Sequence, residues 1–472
     1  MSHSADLVVL GAGPAGLAAA WRASRSGLST VVLERASAVG GMAGSFTVAG
    51  TRVDFGSHRL HPATAPALLA DLQALLGGDL ALRRRNGRLR VAGRWVGFPL
   101  RPGELARTLP PQLLARVLAE GLIGPLTGPL TRARRRTSSS SYADVLRAGL
   151  GPTLYDSLYG PYARKLWGLP GEAIDAEQAR RRVTADTVWK VAGRMLAPRR
   201  RTGQGRSFFY PVRGFGQIVE ALSTAATRAG ADIRLGQEVS SLTASPEHVT
   251  LRTSGGGRFT AGQVFSTIPL PVLGRLARPA PPAQVLTAAA GLRLRAMLLV
   301  YVVHEGGRWT SFDAHYVPDP ATPITRISEP ANYRDSPSDP VGSTVLCCEI
   351  PCDVGDRMWT ASEADLVELV ADAVSRVGLP PLRVLGLEVR RLPRVYPVYS
   401  LGYRADLQGI EAWADALPRV TTFGRLGMFA HDNTHHAMGM AYDAVDALRD
   451  GVVDADAWQS ARRRFATHVV ED

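Results

Sequence analysis

The stretch Asp6-Leu7-Val8-Val9-Leu10-Gly11-Ala12-Gly13-Pro14-Ala15-Gly16 decides the fold. Asp6 to Leu10 is β-rich, Pro14 to Ser26 repeats alanine and leucine at helical spacing, and Thr30 to Leu33 is β-rich again. Strand, tight turn, helix and strand make a βαβ unit. The turn reads G-x-G-x-x-G directly after a strand and at the opening of a helix, the context that gives this motif meaning. Gly11 permits the tight turn, Gly13 lets backbone approach a pyrophosphate, and Gly16 allows close helix-to-strand packing. Pro14 and Ala15 open a helix whose unpaired N–H groups are offered to the anion. Glu34 ends the next strand, 18 residues past Gly16, placed to accept hydrogen bonds from a ribose diol. A carboxylate there suits an adenosine without a 2′-phosphate, which it would repel.

Around this unit the chain runs to 472 residues, which predicts two or three folding units at about 100 to 200 residues each. With 45% hydrophobic and 21% charged residues it excludes disordered, fibrous and collagen-like classes. The net charge is +13, but of 55 basic residues only Lys165 and Lys190 are lysines, an arginine bias that a G+C-rich genome explains as readily as selected chemistry. Cys347, Cys348 and Cys352 are too few and too clustered to staple the chain, which predicts a reducing compartment. The first apolar run leads straight into the glycine turn, without the parts of a signal peptide, and no 18 consecutive residues are apolar. A cytoplasmic protein is expected.

Residues 101–206 read as helical patterns broken by Pro and Gly. Phe208–Pro211, Asp232–Leu235, His248–Arg252 and Gln263–Thr267 read as strands, with a helix over Gln217–Ala229. Residues 293–351 alternate β-branched and aromatic residues with turn clusters, and the chain ends with a strand at Arg419–Phe423 and a helix from about His436 to Arg449. The return of strand-turn-helix patterning predicts a discontinuous nucleotide-binding domain of residues 1–95, 207–275 and 390–460. A helical insertion over 96–206, a sheet-containing substrate domain over 276–389 and a C-terminal tail over 461–472 complete the expectation.

Arg35 is followed by Val39-Gly40-Gly41-Met42-Ala43-Gly44, a second glycine cluster where backbone can pass close to something flat or charged. Together with the first motif it resembles the FAD fingerprint of glutathione-reductase-like flavoproteins. The branch is that of amine oxidases, protoporphyrinogen oxidases, carotenoid desaturases and UDP-galactopyranose mutases. The resemblance implies an α/β fold, a Rossmann-like FAD-binding domain with an inserted α+β substrate domain. It also implies FAD as cofactor, with Gly40, Gly41 and Met42 beside it. It continues along most of the chain. Asp54-Phe55-Gly56-Ser57-His58 is similar to the segment lying against the flavin, which implies a flavin contact for His58. Gly160-Pro161-Tyr162-Ala163-Arg164-Lys165-Leu166-Trp167-Gly168 is similar to a helical mutase segment, with Trp167 read equally as packing or as a substrate wall. Glu238-Val239, with Val264 to Pro269 after it, resembles the strand pair that touches the FAD adenosine.

Thr325-Arg326-Ile327-Ser328-Glu329 resembles the mutase segment whose arginine binds the diphosphate of a sugar nucleotide. The competing reading of Arg326 is a brace to Glu329. Phe423-Gly424-Arg425-Leu426-Gly427, continuing through Asn433 and Thr434, resembles the motif beside the FAD ribityl and pyrophosphate groups, where Arg425 would meet phosphate. Tyr396 matches one mutase tyrosine, Arg181 or Arg182 a second diphosphate arginine, and His431 stands where the mutases carry another tyrosine.

His431, His435 and His436 lack a Glu or Cys at a familiar ligand spacing, so no metal is expected. The arginine runs at 134–136, 180–182 and 199–201 accompany no nucleic-acid-binding module and read as solvated surface. Residues 112–130 read as a helix packed in the substrate domain or as a peripheral membrane contact. The expectation is an FAD enzyme with a small-molecule substrate, a sugar nucleotide or other glycosyl phosphate. The resemblance implies hydride transfer to the flavin, or mutase-like attack of reduced flavin N5 on an anomeric carbon. The alternatives are oxidation or desaturation of an isoprenoid or tetrapyrrole, and flavin binding without catalysis.

Overall fold

Leu7, Val8, Val9 and Leu10 are all buried, because the strand they form lies at the centre of a sheet covered on both faces. The computed structural model describes residues 2–100, 102–120, 140–182, 207–334 and 336–470. Ser2–Leu10 pairs in parallel with Thr30–Leu33 on one side and Arg258–Ser266 on the other. Asp232–Arg234 and Val420–Thr422 extend the parallel portion, and Val239–Ala244, Val249–Thr253 and Ala277–Arg278 complete eight strands. Successive side chains of a strand point to opposite faces. Leu7, Val9 and Val32 therefore pack beneath the helices Pro14–Arg25, Gln217–Arg228 and Thr434–Asp446, while Val8, Leu10, Val31 and Leu33 face Leu242, Leu251 and the helix Tyr403–Asp415.

A second sheet of seven strands has the order Val384–Pro397, Leu294–Glu305, Ser343–Cys352, Arg326–Ser328, Ala314–Tyr316, Gly87–Val91 and Arg94–Phe98. In its long strand Ala296, Leu298, Val300 and Val302 pack with Leu366 and Val370 of the helix Glu363–Arg376. The alternate residues Met297, Leu299 and Tyr301 face Val53, Phe46 and Phe55. The helices Tyr142–Leu150, Gly160–Trp167 and Ala176–Arg182 form a further cluster around Tyr142, Leu146, Leu166 and Trp167. The chain is thus α/β, with a Rossmann-like unit.

Domain limits differ from the sequence expectation at four points. Residues 87–95 pair into the second sheet through Gly87–Val91 and Ala314–Tyr316, not into the first. Residues 390–397 belong to the second sheet as well. Ala277–Arg278 pairs with the first sheet, beyond the expected limit of 275. Residues 461–465 are no tail: they end the helix Ala455–Phe465, which buries Trp458, Ala461 and Phe465 in the core. Strand patterning records which residues are apolar but not which sheet a strand joins. Among the described residues no helix is long and apolar enough to cross a membrane. Of the stretch 112–130, residues 121–130 lie outside the described residues, as do the arginine runs 134–136 and 199–201; in the run 180–182, Arg181 and Arg182 are partly buried and not solvated surface.

The functions assigned to Gly13 and Gly16 in the glycine turn separate in space. A Cβ on Gly16 would lie 1.9 Å from the carbonyl oxygen of Gly11, whereas a Cβ on Gly13 meets nothing within 4 Å. Gly16→Ala is expected to fold poorly or melt well below the parent, while Gly13→Ala retains the parent melting curve by circular dichroism. Equal melting of the two would contradict the close-packing role of Gly16.

Candidate functional site

A cavity of about 640 Å³ opens where the carboxyl ends of the parallel strands meet the inner face of the second sheet. Its first wall contains Gly11, Gly13, Pro14 and Ala15 from the glycine turn, Glu34 and Arg35 from the end of Thr30–Leu33, and Gly41 and Met42. Gly11 adopts φ +103°, and its N–H donates to the carbonyl of Leu33 at 2.9 Å. Among the described residues no side chain caps the helix that follows Gly13, so its N-terminus can take a ligand. The Glu34 carboxylate accepts from Ala12 N and Ala36 N, each at 2.8 Å, and still reaches the cavity. Gly40 and Gly16 do not line it. Gly40, at φ +116°, donates its N–H to the carbonyl of Ala12 at 2.8 Å and so clips the second glycine cluster onto the first. Val239, Gly424, Arg425, Asn433 and Thr434 also line the cavity.

The opposite wall carries His58, Tyr162, Arg182, Tyr316, Arg326, Tyr396 and His431. His58 Nε2 donates to the carbonyl of Phe55 at 3.0 Å, and its ring stacks on Phe215. Burial pulls its pKa below the ordinary histidine value, against the pull of Asp54, so it is neutral. His431 is neutral more firmly, through burial and then the nearby charges of Arg182 and Arg425. Its Nε2 donates to the carbonyl of Pro397 at 2.6 Å, and its Nδ1 has no partner among the described residues. Tyr396 lies 6.1 Å from His431 in a stacked arrangement, with the guanidinium carbons of Arg182 and Arg425 each 5.0 Å from its ring centre.

One sequence expectation, for Trp167, and one competing reading, for Arg326, need correction. Trp167 is 2% exposed and does not line the cavity; it packs edge-on to Tyr142 and behind His431. Helical packing, not substrate contact, accounts for its burial. Arg326 does not brace Glu329, whose carboxylate accepts from Trp309 N at 2.6 Å and Thr310 N at 3.0 Å. Its partner is Glu349, which takes Nε at 2.9 Å and Nη2 at 2.7 and 2.8 Å. Glu349 also accepts from Ser57 N at 3.0 Å, which joins the pair to the turn that carries His58. Burial opposes the charge of Arg326, and Glu349 more than restores it.

Glu349 was not singled out by sequence because nothing local marks it: it lies directly across the antiparallel ladder from Arg326. Lys165 carried a signal that was visible, being one of two lysines in a chain that otherwise uses arginine. Its Nζ donates to the carbonyls of Val317 at 2.6 Å, Asp319 at 2.9 Å and Ile324 at 2.7 Å. That knot ties the helix Gly160–Trp167 to the loop between the strands bearing Tyr316 and Arg326. An ammonium directs three N–H groups from one centre, which a planar guanidinium cannot reproduce.

Comparison with known proteins places the chain. The family model described as flavin containing amine oxidoreductase matches residues 14–445. The chain belongs to that family. It is a flavoenzyme with FAD as cofactor, acting on a small molecule. No curated protein matches it. Among solved structures, reduced UDP-galactopyranose mutase superposes with a TM-score of 0.78 at 20% identity, covering 98% of this chain and 99% of that one. A putative protoporphyrinogen oxidase from Exiguobacterium sp. 255-15 gives 0.71 at 20% identity over 94% and 98%. Putrescine oxidase bound to putrescine gives 0.64 at 15% identity over 94% and 99%. These likenesses establish a shared fold.

Two outcomes follow from the wall of the cavity. Glu349→Gln removes the charge opposite a buried guanidinium, and is expected to cost on the order of 3 kcal/mol, seen as a lower melting temperature; unchanged melting would show the pair to be dispensable. Lys165→Met should lower thermal stability and Lys165→Arg should fail to restore it, whereas full recovery with arginine would remove the argument from donor geometry.

Proposed function

We propose that the chain is an FAD-dependent enzyme acting on a glycosyl phosphate or sugar nucleotide, with the glycine-turn wall holding the dinucleotide and the Tyr396 wall receiving the substrate. The fit to FAD rests on the open space over Gly13, the uncapped helix behind it and the carboxylate of Glu34. Gly11, Gly13, Ala15 and the helix N-terminus would take the pyrophosphate, Glu34 a ribose diol, and Gly41, Met42, Val239, Gly424, Arg425, Asn433 and Thr434 the remaining length. FAD, when bound, supplies a flavin ring able to accept or return a hydride or to act through its N5 atom.

One observation carries the substrate reading: Arg182 and Arg425 share the ring of Tyr396, and neither forms an ion pair among the described residues. Two guanidiniums sharing a buried site repel each other, and the pKa of Arg425 is lowered by burial, with Arg182 pushing it further down. An anionic group bridging them would relieve that repulsion, and phosphate oxygens match guanidinium donors in pairs. Neutral His431 has at Nδ1 an acceptor without a partner among the described residues, able to take a sugar hydroxyl, and neutral His58 faces the same space without adding charge. Arg326 is already compensated by Glu349, so it contributes orientation more than net attraction for an anion. That compensation, with Met297 and Leu299 in the lining, favours the second reading, an apolar substrate that is oxidised or desaturated.

The test is spectroscopic. Purified enzyme, oxidised and dithionite-reduced, is titrated with nucleotide sugars, polyprenyl phosphosugars, porphyrinogens and isoprenoids while the flavin spectrum is followed. A phosphosugar is expected to perturb the spectrum, and Arg182→Ala to weaken it roughly ten- to hundredfold with flavin content unchanged. Turnover only after reduction marks mutase-like chemistry, and bleaching of oxidised enzyme marks a dehydrogenase. Bleaching by a porphyrinogen or isoprenoid, with Arg182→Ala indifferent, would overturn the phosphate reading. Separately, Gly13→Val is expected to purify without yellow flavin, and normal FAD content would remove the dinucleotide assignment.

A further inference from the structure

The segment that follows the helix Ala455–Phe465 brings Val470 to the cavity. After the helix Ala455–Phe465, the N–H groups of Thr467 and His468 bond back to the carbonyls of Arg464 and Phe465, turning the backbone out of the helix. His468 Nδ1 then meets Asp432 Oδ1 at 3.1 Å, and its ring stacks on His436 with centroids 4.2 Å apart. Two residues on, the N–H of Val470 donates to the carbonyl of Arg181 at 2.8 Å, and Val470 lines the cavity beside Arg182 and Asp432. The segment therefore bridges the loop before the helix Thr434–Asp446 and the helix Ala176–Arg182, which belong to different parts of the fold.

The anchoring is built from buried groups. The side chain of Asp432 has no exposed surface, and its acceptor is aimed at the segment rather than at solvent. Asp432, His436 and His468 bring possible ligand atoms within 4.8 Å of one another, but this is a clamp and not an ion site. The planes of the two imidazoles are only 14° apart and stacked, so one ion cannot lie in the plane of both rings. His436 Nδ1 is also 3.3 Å from the N–H of Asn433, which occupies its lone pair.

We propose that residues 466–470 form a fixed strap closing the substrate end of the cavity, with Val470 a specificity-determining residue that sets how much solvent and substrate reach the space beside Arg182 and Tyr396. This rests on the assignment of the cavity to flavin and substrate made above. A strap pinned on both sides excludes water from the reacting region at no cost in substrate-driven ordering.

The experiment compares full-length holoenzyme with a chain ending at Thr467 and with Val470→Gly and Val470→Trp. The readouts are flavin content, melting temperature, iodide quenching of flavin fluorescence, and reoxidation by dioxygen after dithionite reduction. Truncation and Val470→Gly are expected to retain flavin and to raise the iodide quenching constant roughly threefold or more, with faster reoxidation, and Val470→Trp to lower both. If the truncated chain does not fold, opposite shifts in the two Val470 variants support the strap. Unchanged quenching and reoxidation in every variant that holds flavin overturns it. Absence of flavin from the parent protein would overturn the cavity's assignment instead.

Discussion

The site depends on one buried carboxylate. Asp54 Oδ1 accepts from Ser45 Oγ at 2.6 Å and Phe215 N at 2.9 Å, Oδ2 accepts from the Tyr210 hydroxyl at 2.5 Å, and its carbonyl accepts from the Tyr301 hydroxyl at 2.5 Å. Those donors come from the hairpin after the glycine clusters, from the strand and turn leading into Gln217–Arg228, and from the second sheet. Without that carboxylate, the buried Tyr210 hydroxyl and Phe215 N–H would be left unpaired at about 1–3 kcal/mol each. Phe55 to Arg59 follow directly, so the position of His58 between the two sheets is set by Asp54 and not by His58 itself.

Charge in the cavity is distributed unevenly for a physical reason. Arg326 arrives on a strand whose neighbour presents Glu349, and the ladder pairs them directly. Arg182 and Arg425 arrive on two separate helices, with an aromatic ring for a neighbour. A cation over a ring face is attracted more weakly than one in a carboxylate pair. One side of the cavity is thus electrically settled and the other holds two cations close together. The same contrast explains why a chain that uses arginine almost everywhere has lysine at position 165: three carbonyls converging on one point require a compact donor.

Local chemistry was legible in the sequence. The glycine turn and its flanking strands follow from short-range patterning, and Thr30–Leu33 and the helix beginning at Gln217 lie where their apolar periods put them. The family resemblance, carried by motif order along the chain, agrees with the family match over residues 14–445. These signals are contiguous, and contiguity is what a sequence records directly.

Partner choice was not legible. Glu329 lies three residues from Arg326 and was the competing candidate for its partner, yet it falls just past the strand Arg326–Ser328, and the residue facing Arg326 comes from a strand 23 positions away. Trp167 and Tyr396 looked alike as aromatic candidates; only the packing of the helices leaves one behind His431 and the other in the cavity. Strand 87–91 joins the second sheet because its pairing edge faces Ala314–Tyr316, bringing 94–98 with it as its hairpin partner, and Val470 reaches the cavity because Asp432 and Arg181 hold it there. The sequence alone determined the glycine-turn unit, the family and the cofactor, since each is encoded in neighbouring residues. The tertiary structure alone decided which charges are neutralised and which segments close the cavity, because those depend on contacts between residues distant in the chain.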